Sequence, residues 1–232
     1  MAVTGGGRGL GRAIVLACAA EGADVALSCH LGRREAEETA RRLLEDGRRV
    51  EVVPADARVP GEMAEFVEEA VRRLGGLDVL VNNVGVFRAV PIEELSEEVL
   101  DEAFDVNVKA AILASRAAAP HMRGRGGGAI VNVASLGGLR PWRRHLPYCV
   151  SKAALIMATQ CLALALAPEI RVNAVAPWIL EPPGADPDLG RRAPQQRFGT
   201  HREAVEAVLF LASAAGFTTG EVLRIDGGRG LA

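Results

Sequence analysis

Short apolar runs bounded by glycine, proline and charged residues recur along the chain. Between them lie longer segments whose apolar residues return every three or four positions. Ala23 to Cys29, Val50 to Pro54, Leu77 to Val81, Ala129 to Ala134, Arg171 to Val175 and Glu221 to Ile225 read as strands. Arg12 to Glu21, Arg33 to Asp46, Pro60 to Leu74, Leu95 to Met122, Tyr148 to Ala167 and Arg202 to Ala212 read as helices. The run Arg123-Gly-Arg-Gly-Gly-Gly128 is a stop signal, and Pro147 suits a first helical position. Strands alternating with helices predict an α/β fold, a single Rossmann-like doubly wound parallel sheet covered by helices on both faces. Residues 1–232 read as one domain, without internal repeat or low-complexity linker. Before the first helix only Met1-Ala-Val3 is available for a central strand. Either that strand is clipped or the true start lies upstream.

Composition narrows the class. Hydrophobic residues are 49% and charged residues 24%, an ordinary globular mix. A net charge of −2 gives no field that would gather nucleic acid or a membrane surface. No apolar run is read as long enough to span a bilayer, and the N-terminus lacks a signal-peptide pattern, so the expectation is a cytoplasmic protein. Cys18, Cys29, Cys149 and Cys161 have no metal-ligand spacing; reduced, buried thiols and no metal site are expected.

Candidate chemistry begins at Ser135 to Lys152. Tyr148 and Lys152 are four apart and share one face of their helix. A phenol titrates near ~10, and an ammonium fixed beside it favours the phenolate and lowers that value. Such a tyrosine can exchange a proton with a reacting oxygen, and Ser135, at a strand end, can hydrogen-bond the same oxygen. Alone, the spacing equally describes an exposed pair on an ordinary helix.

A second candidate is the turn Thr4-Gly-Gly-Gly-Arg-Gly-Leu-Gly11. Its Gly5, Gly9 and Gly11 hold a Gly-x3-Gly-x-Gly spacing, not the Gly-x-Gly-x-x-Gly fingerprint. Between a strand and a helix, glycines let backbone approach a phosphate, and the helix N-terminus attracts it. After the second strand, where an NAD site carries an acid for the ribose hydroxyls, the chain reads Ser28-Cys-His-Leu-Gly-Arg-Arg34. Arg8, His30, Arg33 and Arg34 could meet a 2′-phosphate there, which favours NADP(H) and leaves NAD(H) possible. Arg33 and Arg34 could also be the solvated start of a helix.

Taken in order, these pieces resemble the short-chain dehydrogenase/reductase family over almost the whole chain. The Thr4 to Gly11 turn is similar to its cofactor turn, and Asp56 to the acid that contacts adenine. Asn82-Asn-Val-Gly85 resembles the Asn-Asn-Ala-Gly element, and Asn107 the active-site asparagine. Ser135, Tyr148 and Lys152 resemble the serine and the Tyr-x-x-x-Lys pair. Arg171 to Pro177 resembles the strand and loop that close on the nicotinamide, and Thr219 to Gly228 the last strand and turn. The resemblance implies hydride transfer between a nicotinamide and a carbonyl or alcohol. Tyr148 would be the acid/base, and Lys152 would tune it and bind ribose hydroxyls. Ser135 would hold the substrate oxygen, and Asn107 a water in a proton relay. It further implies that Gly5, Arg8, Gly9, Leu10, Gly11, His30, Arg33, Arg34, Asp56, Ala57, Asn83, Gly85, Tyr148, Lys152, Pro177 and Ile179 bind the cofactor.

The chain departs from the family after Pro177. Trp178 stands where glycine is usual, and Pro182 or a neighbour where threonine is usual. Residues 178–197 match the substrate loop, and Arg140 to His145 would flank a small-molecule carbonyl or alcohol substrate. Pro182-Pro183 and Asp226 to Arg229 resemble a bacterial subgroup similar to pteridine reductases. Pteridine reduction, 3-oxoacyl-thioester reduction, or cofactor binding with weak or no turnover remain open beside carbonyl reduction. The resemblance implies a homodimer or homotetramer paired through the two long helices, Leu95 to Met122 and Tyr148 to Ala167; the second is apolar on most faces, which burial within a doubly covered sheet would equally explain.

Overall fold

The computed structural model describes every residue except Asp46, Pro182, Pro183 and Ala185. Among the described residues, seven parallel strands form one sheet in the order β3-β2-β1-β4-β5-β6-β7. They are β1 (Ala2–Val3), β2 (Val25–Cys29), β3 (Val50–Pro54), β4 (Val79–Asn82), β5 (Gly128–Val133), β6 (Ile170–Pro177) and β7 (Val222–Ile225). Between and after them run α1 (Gly9–Ala20), α2 (Arg33–Glu45), α3 (Glu62–Leu74), α4 (Glu97–Phe104), α5 (Ala110–Gly124), α6 (Leu146–Leu166), α7 (Pro187–Gly190) and α8 (His201–Leu209).

Successive strand side chains face opposite sides of the sheet. Ala2, Ala26, Leu80, Ile130 and Val172 enter one apolar layer, with Phe66 of α3 and Ala114 and Ala118 of α5. Val3, Val25, Leu27, Val81, Val131 and Val175 enter the other, with Ile14 and Val15 of α1 and Val208 of α8. Burial on both faces is why the strands read as apolar runs rather than alternating ones. The clipped first strand still takes the central place. Its two residues are fully buried and pair with Ala26 and Leu27 on one side, Leu80 and Val81 on the other. Strand order reverses between β1 and β4, and in such sheets ligands settle at the carboxyl ends beside that reversal.

Four expectations change. The predicted helix Leu95 to Met122 starts at Glu97 and contains a π turn, Asp105–Lys109, around Asn107. Single π turns of this kind gather at functional sites. The four-residue helix α7 had no signal in the apolar pattern. Helix α6, 21 residues with a hydropathy of 1.7, is long and apolar enough to cross a membrane by length and composition, contrary to the sequence reading. One side of it packs on the sheet and buries Lys152, Leu155 and Thr159. Finally, Cys18 and Cys29 are buried, but Cys149 is half-buried and Cys161 exposed, because α6 turns a full face outward.

Candidate active site

The glycine turn is held by three strand ends. Thr4 Oγ1 accepts from Asn83 N at 2.9 Å and Val84 N at 3.1 Å. Asn83 Nδ2 donates to the carbonyls of Thr4 and Gly5, and Gly5 N donates to Ser28 Oγ at 2.9 Å. Gly11 has no room for a side chain, since a Cβ there would lie 2.2 Å from the Gly5 carbonyl oxygen. Gly9 opens α1 with φ +54°, and nothing lies within 4 Å of where its Cβ would be. No side chain caps this helix, so its first N–H groups face open space. An uncapped helix start beside a glycine cradle suits a pyrophosphate.

A cleft of about 440 Å³ runs from this turn across the ends of β2, β3 and β4. Ten of the predicted cofactor residues line it: Gly5, Arg8, Gly9, Leu10, Gly11, His30, Asp56, Ala57, Asn83 and Gly85. Arg33 and Arg34 do not. Arg33 extends into solvent and pairs with Glu37 at 2.8 Å, one turn along α2, and Arg34 is exposed. Pro177, the last residue of β6, and Ile179, two residues beyond it, are outside the cleft lining. The cleft also has a lining residue that sequence reasoning missed, Arg58. Its Nε donates to both Asp56 oxygens, at 3.0 and 3.1 Å, and its Nη2 to Asp56 Oδ2 at 2.8 Å. Chiefly through this hydrogen bonding, the Asp56 carboxyl is held below its usual range. The signal was an arginine two positions after the acid at a strand end.

Ser135, Tyr148 and Lys152 come together outside the cleft lining, with Lys152 Nζ 3.4 Å from where a Cβ on the cleft residue Gly85 would stand. Ser135 ends the loop after β5 and accepts from Gly137 N at 3.0 Å. Tyr148 and Lys152 project from the first turns of α6, and Lys152 Nζ lies 6.0 Å from the Tyr148 ring centroid. Gly138 lets the loop press against α6, since a Cβ there would stand 2.7 Å from the Lys152 backbone carbon. Lys152 is buried, and its Nζ donates to the Val133 carbonyl at 2.7 Å. Desolvation pushes its ammonium down to about 8. The expected lowering of the Tyr148 phenol is not found. Burial pushes it up, and the hydrogen bond with Ser135 opposes that only in part. The ammonium is directed at a carbonyl rather than at the phenol oxygen, so it does not offset the desolvation.

Asn107 is anchored through its side chain. Its Nδ2 donates to the Val86 carbonyl at 3.1 Å and to Ser151 Oγ at 2.9 Å, while its Oδ1 accepts from Val86 N at 2.8 Å. Both amide hydrogens are thus spent on clamping the loop after β4 to α6, so a relay water would have to donate to an Asn107 oxygen. A polar ladder beneath, also missed, runs from Asn82 to Asn132 at 2.8 Å and from Asn132 to Thr159 of α6 at 2.9 Å. It ties the helix that carries the pair to two central strands.

Residues 5–229 match a family model described as enoyl-(acyl carrier protein) reductase. Mouse L-xylulose reductase is 38% identical over 240 residues, which cover 97% of this chain and 94% of that one. The chain belongs to the short-chain dehydrogenase/reductase family. It is an oxidoreductase of that family, and its fold agrees closely with solved members. Acetoin dehydrogenase from Salmonella typhimurium superposes with a TM-score of 0.92 at 33% identity, covering 100% of this chain and 95% of that one. An alternative dihydrofolate reductase from Brucella canis, complexed with NADP, superposes at 0.94 with 32% identity, covering 100% and 93%.

Beyond this shared frame the chain has features of its own. Trp178 lines a separate cavity of about 310 Å³, with Gln195, Arg197 and Asp226, and does not border the main cleft. Its backbone N–H donates to the Ile225 carbonyl at 3.0 Å, which fixes it against β7. The expected substitution of threonine by Pro182 lies outside the described residues, as does the Pro182-Pro183 pair. Over Tyr148 stands an aromatic cluster. Phe87 meets the Tyr148 ring edge-on at 4.7 Å and stacks on His145 at 4.7 Å, while Trp142 stacks beside Tyr148 at 5.9 Å. Arg140 turns away from it and donates to the Gly230 carbonyl.

Proposed function

We propose that this oxidoreductase prefers NADP(H) and interconverts a carbonyl and an alcohol with Tyr148 as acid and base. What supports the reading most is one juxtaposition. The Ser135 hydroxyl and the Tyr148 phenol meet in a buried corner, backed by the Lys152 ammonium, beside a cleft whose glycine turn leaves room for a dinucleotide. The turn from Gly5 to Gly11 would hold the pyrophosphate, Asp56 and Ala57 the adenine, and Lys152 the nicotinamide ribose. When bound, the nicotinamide supplies the hydride chemistry that side chains lack.

In reduction Tyr148 gives its proton to the substrate oxygen, and in oxidation it takes the proton back. Burial keeps the phenol protonated at neutral pH, the form that reduction requires. Ser135 donates to the same oxygen and stabilises the charge developing there. Lys152 holds positive charge behind the phenol. Asn107 positions α6 against the loop after β4 rather than touching the reacting atoms. Phe87, Trp142 and His145 form the wall that a small-molecule substrate meets, and residues 178–197 its outer loop.

NADPH oxidation over a panel of ketones, sugars, quinones and a dihydropterin, with NADH in parallel, tests the function. Turnover of at least one carbonyl by the wild type, abolished in Tyr148→Phe with NADPH binding retained, is the expected outcome. Equal loss of binding and turnover removes Tyr148 from the chemistry. Binding without turnover across the panel makes the protein a cofactor binder. The resemblance to a dihydrofolate reductase of Brucella canis favours the dihydropterin arm as a second reading. The protein further acts as a cytoplasmic homodimer or homotetramer joined through the outward face of α6, where Met157 and Leu164 are exposed.

A further inference from the structure

A Rossmann sheet reads the adenosine 2′ position at the carboxyl end of its second strand, with an acid for the hydroxyl or an arginine for the phosphate. Here β2 ends at Cys29 and the next residue is His30. No carboxylate stands there, and neither Arg33 nor Arg34 lines the cleft. The side chain that does reach this point comes from the neighbouring strand. Arg58 follows the end of β3, and its Nη2 lies 2.6 Å from His30 Nε2.

We infer that Arg58, not Arg33 or Arg34, selects the 2′-phosphate of NADP(H), held in place for it by Asp56 and His30. The inference rests on the NADP(H) reading above and extends it to a residue. Three observations support it. Asp56 fixes the guanidinium from one side through three side-chain contacts of 3.1 Å or less. His30 Nε2 takes the second hydrogen of the same Nη2 at 2.6 Å. Arginine only donates, so His30 Nε2 accepts and its Nδ1 carries the proton toward Asp56 Oδ2, 3.5 Å away. Nη1, with two N–H groups, has no hydrogen-bond partner among the described residues, and Arg58 lines the cleft as well as a neighbouring hollow bordered by Glu98, Asp101, Glu102 and Asp105. With Nε and both Nη2 hydrogens engaged, the guanidinium is fixed and its two Nη1 N–H groups remain as charge-assisted donors to phosphate oxygens. The same arrangement disfavours a bare 2′-hydroxyl, because the nearest acceptor, Asp56, is already occupied. Glu102, across the cleft, is itself paired with Arg88 at 3.1 Å.

Equilibrium binding of NADPH, NADH, adenosine 2′,5′-bisphosphate and AMP to wild type, R58A, R58K and R33A/R34A tests the inference. R58A should weaken NADPH and the bisphosphate about tenfold or more, the size of a lost charge-assisted hydrogen bond, while NADH and AMP change about twofold or less. R58K should fall between, since it keeps the charge and loses the anchoring by Asp56 and His30 that fixes the guanidinium. R33A/R34A should retain the wild-type ratio. Equal weakening of both members of each pair would show Arg58 to act on adenine or on shape and overturn the inference. Loss of preference in R33A/R34A with R58A unaffected would overturn it as well. A wild type that binds NADH as tightly as NADPH ends the NADP(H) reading itself. A wild type that prefers NADPH with R58A unchanged ends only the assignment of Arg58.

Discussion

Lys152 is the residue whose burial does most at the site. A cation excluded from water loses its proton more easily, and here desolvation brings the ammonium from its ordinary 10.5 to about 8. The phenol beside it moves the other way and stays protonated past its ordinary value. The pH–rate profile of carbonyl reduction should therefore have its descending limb near pH 8, set by loss of the Lys152 charge, and not near 10. A limb that begins only above 9.5 would contradict this. The same shift carries a stability consequence. Between about pH 8 and 10.5 the unfolded chain binds a proton at Lys152 that the folded chain does not, so stability rises with pH through that interval. The cost of the buried charge is fully present below 8. Cys18, pushed up to about 11 by burial, acts oppositely above 9, so pH 8 to 9 is the clean window. Burying the charge costs ~3 kcal/mol. Lys152→Met removes that cost but leaves the Val133 carbonyl without its donor, which offsets ~1 kcal/mol. The variant should be inactive yet melt a few degrees higher at pH 7, and scanning calorimetry at pH 7 and 9 should show the difference shrinking. A lower melting temperature at pH 7 would mean that the lysine stabilises the fold.

At the scale of elements, the loop after β5 and helix α6 meet through Gly138. A methyl group there would lie 2.7 and 2.8 Å from the Lys152 carbonyl carbon and oxygen, backbone that cannot rotate aside. Gly138→Ala should therefore displace α6 by a few tenths of an ångström, destabilise the fold by about 1–3 kcal/mol and lower kcat by more than cofactor affinity. Urea unfolding and single-turnover rates check this, and an unchanged kcat would show the loop yielding instead. Asn132→Ala attacks the same helix from beneath. It removes one buried hydrogen bond each from Asn82 and Thr159, which keep Ser115 and the Leu155 carbonyl, costing about 1–2 kcal/mol, and urea unfolding at unchanged m-value would register it. The sequence carried much of this architecture. β3 begins and ends where its apolar run does, because strands buried on both faces show no other pattern. The π turn at Asn107 was hidden, since one extra residue in a helical turn barely disturbs apolar spacing. Ser135, Tyr148 and Lys152 were legible because local spacing brings two of them together. Arg58 and Phe87 were not, because only the tertiary fold brings β3 beside His30 and the loop after β4 over Tyr148. Arg33, close to the second strand in sequence, pairs along the surface of α2 with Glu37 and borders the hollow beside His30 and Asp56 rather than the main cleft.

At the scale of the molecule, α6 has two sides with different work. The inward side carries Lys152 and Thr159 into the core. The outward side exposes Leu146, Val150, Met157 and Leu164, with Cys161 between the last two. These positions recur at the spacing of one helical face, so the apolar surface is a continuous stripe. Leu164 is 84% and Met157 59% exposed, on a helix apolar enough to be mistaken for a membrane span. A stripe of this kind on a globular protein is the mark of an interface. A second copy of the same helix, packed antiparallel, would bury it self-complementarily about a twofold axis. The wild type should then migrate in light scattering at two or four times 24.4 kDa. Met157→Lys with Leu164→Lys should bring it to 24.4 kDa, because two ammonium groups cannot be buried against apolar partners. Both side chains already face solvent in the single chain, so the substitutions should change monomer stability by only about 0.5 kcal/mol. A wild type already at 24.4 kDa would end the oligomer proposal. If the double variant is monomeric and folded but slower, the partner helix is holding α6, and with it Tyr148, in register. An unchanged rate would confine the interface to assembly.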